Sequence, residues 1–222
     1  MAILALAGCG ATPPSERKLP PGTTSTESKP RAPERIEQRP LIIAFGDSLT
    51  AGLGVAPGES YPEYLQGKLD EAGLKFDVVN EGMSGDTTAA GLQRVDIVAA
   101  RKPEWVILAF GGNDGLRGLS VGRMKENMAK MIERLQANRI KVLLAGIRLP
   151  PNYGRKYTEP FANVFPDLAK QYGVPLIPFL LEGVGGRDDL MQDDGAHPTA
   201  EGNRIVAENV WQALRPLLDS KQ

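Results

Sequence analysis

The chain holds a single histidine, His197, and an aspartate, Asp194, stands three residues before it. At that spacing a carboxylate can sit on the same turn as the imidazole, accept the Nδ1 proton and stabilise an imidazolium, which is the acid–base half of an acyl-transfer site. A nucleophile is the other half. Ser48, in Gly46-Asp47-Ser48-Leu49, is the candidate, and as a weak nucleophile it needs the base that only His197 can supply. Developing negative charge on a substrate oxygen also needs donors, and the Ser48 backbone N–H, the Gly85 backbone N–H and the Asn113 side-chain amide can supply three. Plainer readings compete at every position. Asp47 or Ser48 can cap a turn, Asn113-Asp114 can be turn chemistry, and a histidine before Pro198 can be structural. Asp47 and Asp114 read as loop hydrogen-bonding residues, and Asp193 as a solvated neighbour of Asp194.

These residues need a frame that brings them together. Leu41 to Phe45 is an unbroken apolar run ended by Gly46, the pattern of a central strand covered on both faces, with Ser48 beyond its carboxyl end. Further strands are expected at 76–80, 104–110, 140–146 and 174–179. Between them Pro62 to Ala72 reads as a helix with proline in its first turn and Gly73 as its stop. Val121, Met124, Met128, Met131, Ile132 and Leu135 recur at helical spacing and give another helix one apolar face. Additional helices are expected near 87–101, 160–172 and 198–215. Five strands alternating with helices predict a doubly wound, five-stranded parallel sheet of flavodoxin-like type in a three-layer α/β/α sandwich. Its strand ends would carry Ser48, Gly85 and Asn113 to one crevice, with Asp194 and His197 arriving just before the last helix.

Composition narrows the function. The 222 residues are 41% hydrophobic with a formal net charge of −1, ordinary for a globular domain and without the basic field that nucleic acid requires. One cysteine, Cys9, rules out an internal disulfide, and one histidine rules out a metal site built from several imidazoles. No metal and no cofactor are expected. The glycine-rich Gly52 to Gly58 stretch lacks the Lys-Ser/Thr ending of a phosphate loop. A monomer is expected.

Ahead of the domain the composition changes. Met1 to Cys9 is short and apolar, ends in Leu-Ala-Gly-Cys and resembles the lipobox of bacterial lipoproteins, in which the cysteine is lipidated. Only eight residues precede Cys9 and no positive segment leads it, so the true start is expected upstream. Residues 10–40 contain seven prolines and almost no large apolar side chain, the composition of a disordered linker reaching roughly 30 Å. A tethered enzyme of the bacterial cell envelope, in the periplasm and touching the membrane only through Cys9, is the resulting expectation, with the folded domain at 41–222.

Four blocks in order, Gly46-Asp47-Ser48-Leu49, Gly85 in its loop, Gly112-Asn113-Asp114 and Asp194-x-x-His197-Pro198, resemble the SGNH (GDSL) hydrolases from about Leu41 to Leu218. Gly111 to Gly118, Ile147 to Gly154 and Met191 to Gly195 resemble the arylesterase, acyl-CoA thioesterase I and lysophospholipase L1 group of that family. The resemblance implies Ser48 as nucleophile, Asp194 and His197 as its partners, and Ser48, Gly85 and Asn113 as the oxyanion hole. It also implies metal-free hydrolysis of aryl esters, acyl esters, acyl-CoA or lysophospholipids, with Leu116, Leu149, Pro150 and Tyr153 lining the acyl pocket. A carbohydrate O-deacetylase of the same superfamily and a non-catalytic lipid- or glycan-binding module are the alternatives.

Overall fold

A central parallel sheet of five strands, ordered β2-β1-β3-β4-β5, organises the chain from Leu41 onward. The computed structural model describes Gly10 and residues 39–219, so Cys9 and most of the 10–40 segment lie outside the described residues. The strands are β1 (Leu41–Gly46), β2 (Asp77–Gly82), β3 (Trp105–Ala109), β4 (Lys141–Ala145) and β5 (Leu176–Ile177). β1 and β3 sit side by side at the centre, and their side chains are almost entirely buried, as continuous apolar runs require when helices cover both faces of a sheet. This is the flavodoxin-like doubly wound order.

Among the described residues seven α-helices accompany the strands: α1 (Ser48–Ala51), α2 (Tyr61–Glu71), α3 (Thr88–Ala100), α4 (Gly112–Leu116), α5 (Val121–Ala137), α6 (Arg155–Tyr172) and α7 (Ala200–Asp219). α2 packs on α7, while α3 packs on α5 and α5 on α6. Met124, Met128, Met131, Ile132 and Leu135 form the buried stripe of α5, where the apolar periodicity put them. α2 opens with a capping box in which the Glu63 side chain accepts the Ser60 backbone N–H at 3.0 Å and the Ser60 hydroxyl at 2.8 Å.

Several boundaries differ from expectation. α6 begins at Arg155 rather than near 160 and runs through Pro160 and Pro166; α7 runs past 215 through Pro216 to Asp219. A proline costs an interior helix one hydrogen bond, yet α6 buries Phe161, Val164, Phe165 and Leu168 along one face, and that packing outweighs the lost bond. β5 is only two residues long instead of the expected 174–179, because Pro175 and Pro178 flank it and have no N–H to give a ladder. The four- and five-residue helices α1 and α4 carry no apolar periodicity and were not expected at all.

Candidate active site

At the carboxyl edge β1, β2 and β3 end level, with Gly46 opposite Gly82 on one side and Ala109 on the other. Gly46 has to be glycine: a Cβ there would lie 2.1 Å from Thr50 Oγ1 and 2.6 Å from the Ala109 carbonyl oxygen. The chain can therefore turn sharply out of β1 into α1, and Ser48 becomes the first residue of that helix, buried to all but 8% of its surface. Asp47 is the N-cap, its Oδ1 accepting the Leu49 N–H at 3.1 Å. Thr50, one turn on, shares a 3.2 Å hydrogen bond with the buried Tyr61 hydroxyl, and its carbonyl accepts from Asn80 Nδ2 at 2.9 Å. The helix is short but fixed from below.

His197 comes from the segment before α7. Its Nδ1 lies 2.6 Å from Asp194 Oδ2 and its Nε2 lies 2.7 Å from Ser48 Oγ. A carboxylate can only accept, so the imidazole hydrogen belongs on Nδ1, and Nε2 is left to accept the Ser48 hydroxyl. Asp194 Oδ1 accepts two further N–H groups, from Ala196 at 2.9 Å and His197 at 3.0 Å. Desolvation pushes the Asp194 carboxyl up, but the bonds from the His197 side chain and the two N–H groups outweigh it and hold the group at about 2. Asp194 is therefore ionised at neutral pH. Asp193, next to it, is exposed.

The loop after β2 and the helix after β3 meet beside this trio. Gly85 adopts φ +86°, a conformation that favours glycine, and its carbonyl accepts from Arg117 Nη2 at 2.9 Å. Asn113, in the first turn of α4, donates through Nδ2 to the Asp86 carbonyl at 2.9 Å. An amide nitrogen carries two hydrogens, so Asn113 retains a second N–H for another acceptor. Asp114 takes no part in the trio: its two oxygens accept the Thr88 N–H at 2.8 Å and the Thr88 hydroxyl at 2.6 Å. Burial raises the Asp47 carboxyl to about 6, against the Leu49 N–H and the charge of His197, which pull it down. Asp47 thus caps the turn into α1, as the sequence suggested, whereas Asp114 joins two helices, α4 and α3, rather than a loop.

The four residues expected at an acyl pocket divide by chemistry. Leu116 is 42% exposed and Tyr153 37%, while Leu149 is half-buried with its methyl groups packed on Gly115. Pro150 is exposed, immediately before a 3-10 turn at Pro151–Tyr153. The Tyr153 hydroxyl donates to the Leu116 carbonyl at 3.1 Å and the Tyr157 hydroxyl to the Leu119 carbonyl at 2.8 Å, which joins the two segments. Sequence reasoning missed these ties, along with Thr88, Asn127 and Gln192. Gln192 Nε2 donates to the Leu53 and Pro198 carbonyls, both at 2.8 Å, and so links the Asp194 segment to the chain that follows α1. No residue-type pattern marks such long-range side-chain-to-backbone bonds.

In sequence and in fold the chain is similar to known proteins. Over 178 residues, 80% of this chain and 89% of the relative, the sequence is 44% identical to esterase TesA of Pseudomonas aeruginosa. It is 37% identical over 179 residues to thioesterase 1/protease 1/lysophospholipase L1 of Escherichia coli, covering 80% of this chain and 85% of that one. A crystal structure of TesA superposes with a TM-score of 0.77 at 44% identity, covering 81% of this chain and 99% of the other. Residues 44–205 match the model of the GDSL-like lipase/acylhydrolase family, and on these grounds the chain belongs to that family.

Proposed function

We propose that this chain hydrolyses carboxylic esters and thioesters through an acyl-enzyme on Ser48. The observation that carries the reading is the one imidazole bonded at the same time to Ser48 Oγ and to an ionised Asp194. His197 Nε2 takes the hydroxyl proton as Oγ attacks the acyl carbon. The carbonyl oxygen becomes an oxyanion, received by the Ser48 and Gly85 N–H groups and the second N–H of Asn113. Collapse breaks the C–O or C–S bond, and the imidazolium returns the proton to the leaving oxygen or sulfur. Water, deprotonated by the same imidazole, then releases the acid and restores Ser48. No step calls on a metal or a cofactor.

Relatives named esterase, arylesterase and thioesterase/lysophospholipase support aryl esters, acyl esters, acyl thioesters and lysophospholipids as the substrate class. Leu116, Leu149, Pro150 and Tyr153 would contact the acyl chain, an apolar lining with one hydroxyl. We further propose that Cys9 carries the lipid of an envelope-anchored protein, with residues 10–40 as its tether. Two measurements test the reading. A fluorophosphonate should add once, on Ser48, by intact mass. A panel of p-nitrophenyl esters from two to sixteen carbons, acyl-CoA, lysophosphatidylcholine and acetylated xylan should show turnover of the aryl and acyl substrates. No adduct would leave a non-catalytic binding module, and turnover confined to acetylated glycan would make the chain a deacetylase.

A further inference from the structure

We propose that Asp114 is a positioning residue that holds the Asn113 amide in fixed relation to the Gly85 loop, acting through Thr88 and Asn127. The inference rests on the reading of Asn113 and Gly85 as oxyanion donors. These two come from separate elements, one from α4 after β3 and the other from the loop between β2 and α3. Donors act in the transition state only if their spacing is held to a fraction of an ångström. Something must set that spacing.

Asp114 directly follows Asn113, is 4% exposed, and spends both carboxyl oxygens on one residue of a different helix. That residue, Thr88, opens α3 and is fully buried. Thr87, in the N-cap position of α3, makes no side-chain capping bond, so the first turn of α3 is capped from α4 instead. Asn127 Nδ2 on α5 donates to Thr88 Oγ1 at 3.1 Å, which leaves the threonine hydroxyl no alternative but to donate to Asp114. Two outer bonds span the same gap, Asn113 Nδ2 to the Asp86 carbonyl and Arg117 Nη2 to the Gly85 carbonyl. The Asp114–Thr88 pair is buried on both sides, and of these three links it is the one that ties α4 to the first turn of α3 rather than to the loop itself.

The test is a double-mutant cycle on a soluble aryl ester, with folding followed by circular dichroism. Asp114→Ala should lower kcat about 10- to 100-fold with KM changed less than about 3-fold, because a misaligned donor loses its value mainly in the transition state. Thr88→Val should lower kcat in the same way, and Thr88→Ser, which keeps the hydroxyl, should restore it. In an Asn113→Ala background Asp114→Ala should cost less than about 3-fold more, since no amide remains to be held. Independent, multiplying losses would overturn the proposal. An unchanged kcat for Asn113→Ala alone would overturn the oxyanion reading and the proposal with it, whereas an Asn113 loss without an Asp114 loss would sink the proposal only. If Asp114→Ala does not fold, Thr88→Val and Thr88→Ser in both backgrounds make the same comparison.

Discussion

Ser48 and Asn113 stand on short helices rooted in the ends of β1 and β3, whereas Asp194 and His197 stand on a segment bonded mostly to itself. On the first side the restraints cross long stretches of sequence: Thr50 to Tyr61, Asn80 to the Thr50 carbonyl, Thr88 to Asp114. On the second they close within six residues. Asp194 accepts from the Ala196 and His197 N–H groups, Gln192 N donates to the His197 carbonyl, and Gly195 N donates to the Gln192 carbonyl. The contrast separates two ways of building a site. The proposed nucleophile and its proposed oxyanion donors come together only when the sheet is assembled, while an Asp–His pair at i, i+3 can be prepared by one turn and then docked, here by Gln192 on the Leu53 carbonyl.

The first test of this division removes each half outright. Ser48→Ala and His197→Ala should each cut kcat by several orders of magnitude, and the double variant should be little worse than either, since the pair acts as one unit. Steady-state kinetics decide it; more than a few per cent of residual kcat in either variant would undo the assignment. Next, Asp194→Asn should lower kcat by up to ~10⁴-fold and Asp193→Asn only a few-fold. Because the Asp194 carboxyl is held near 2, its contribution to the folded state is present above about pH 4 and is lost as the pH falls through 2. The stability difference between wild type and Asp194→Asn, followed by urea denaturation, should therefore shrink only below pH 4.

A smaller effect is expected where the halves are joined. Gln192→Ala removes the bonds to the Leu53 and Pro198 carbonyls but leaves those between Asp194 and the Ala196 and His197 groups, so kcat should fall about 3- to 10-fold while fluorophosphonate still reacts at Ser48. A loss as large as that of His197→Ala would mean the turn is not prepared locally. The smallest effect is on stability. Burial raises the Asp47 carboxyl from 3.8 to about 6, which favours folding at low pH and is lost as the pH rises through 6. Asp47→Asn keeps a capping oxygen without the charge, so relative to wild type it should gain on the order of 2–3 kcal/mol between pH 4 and pH 7.5 by urea denaturation. A difference that does not change with pH would mean that Asp47 titrates as an ordinary carboxyl.

The same contrast explains what could be read in the amino-acid sequence. β1, β3 and the α5 stripe were legible because burial leaves a periodic mark, and Asp194-x-x-His197 was legible because its geometry is set by spacing alone. α1 and α4 were not, since helices of four and five residues are held by caps and by distant side chains rather than by an apolar face. The helices expected near 160–172 and 198–215 extend beyond those limits, with Pro160 inside α6 and Pro216 inside α7. Local rules set limits that tertiary packing can override. Thr88, Asn127 and Gln192 left no pattern at all, because each finds its partner only after the sheet has folded.

Tyr153 and Tyr157 donate their hydroxyls to backbone carbonyls, those of Leu116 and Leu119. The edge of the proposed acyl pocket is thus anchored through atoms that every amino acid possesses. Mutation can exchange the side chains at 116 and 119 for longer, shorter or more polar ones without cutting either tie. If this edge lines the acyl pocket as proposed, a lineage could retune which acyl groups it accepts while the architecture beneath stays constant, so that new preferences need not be bought with a loosened fold.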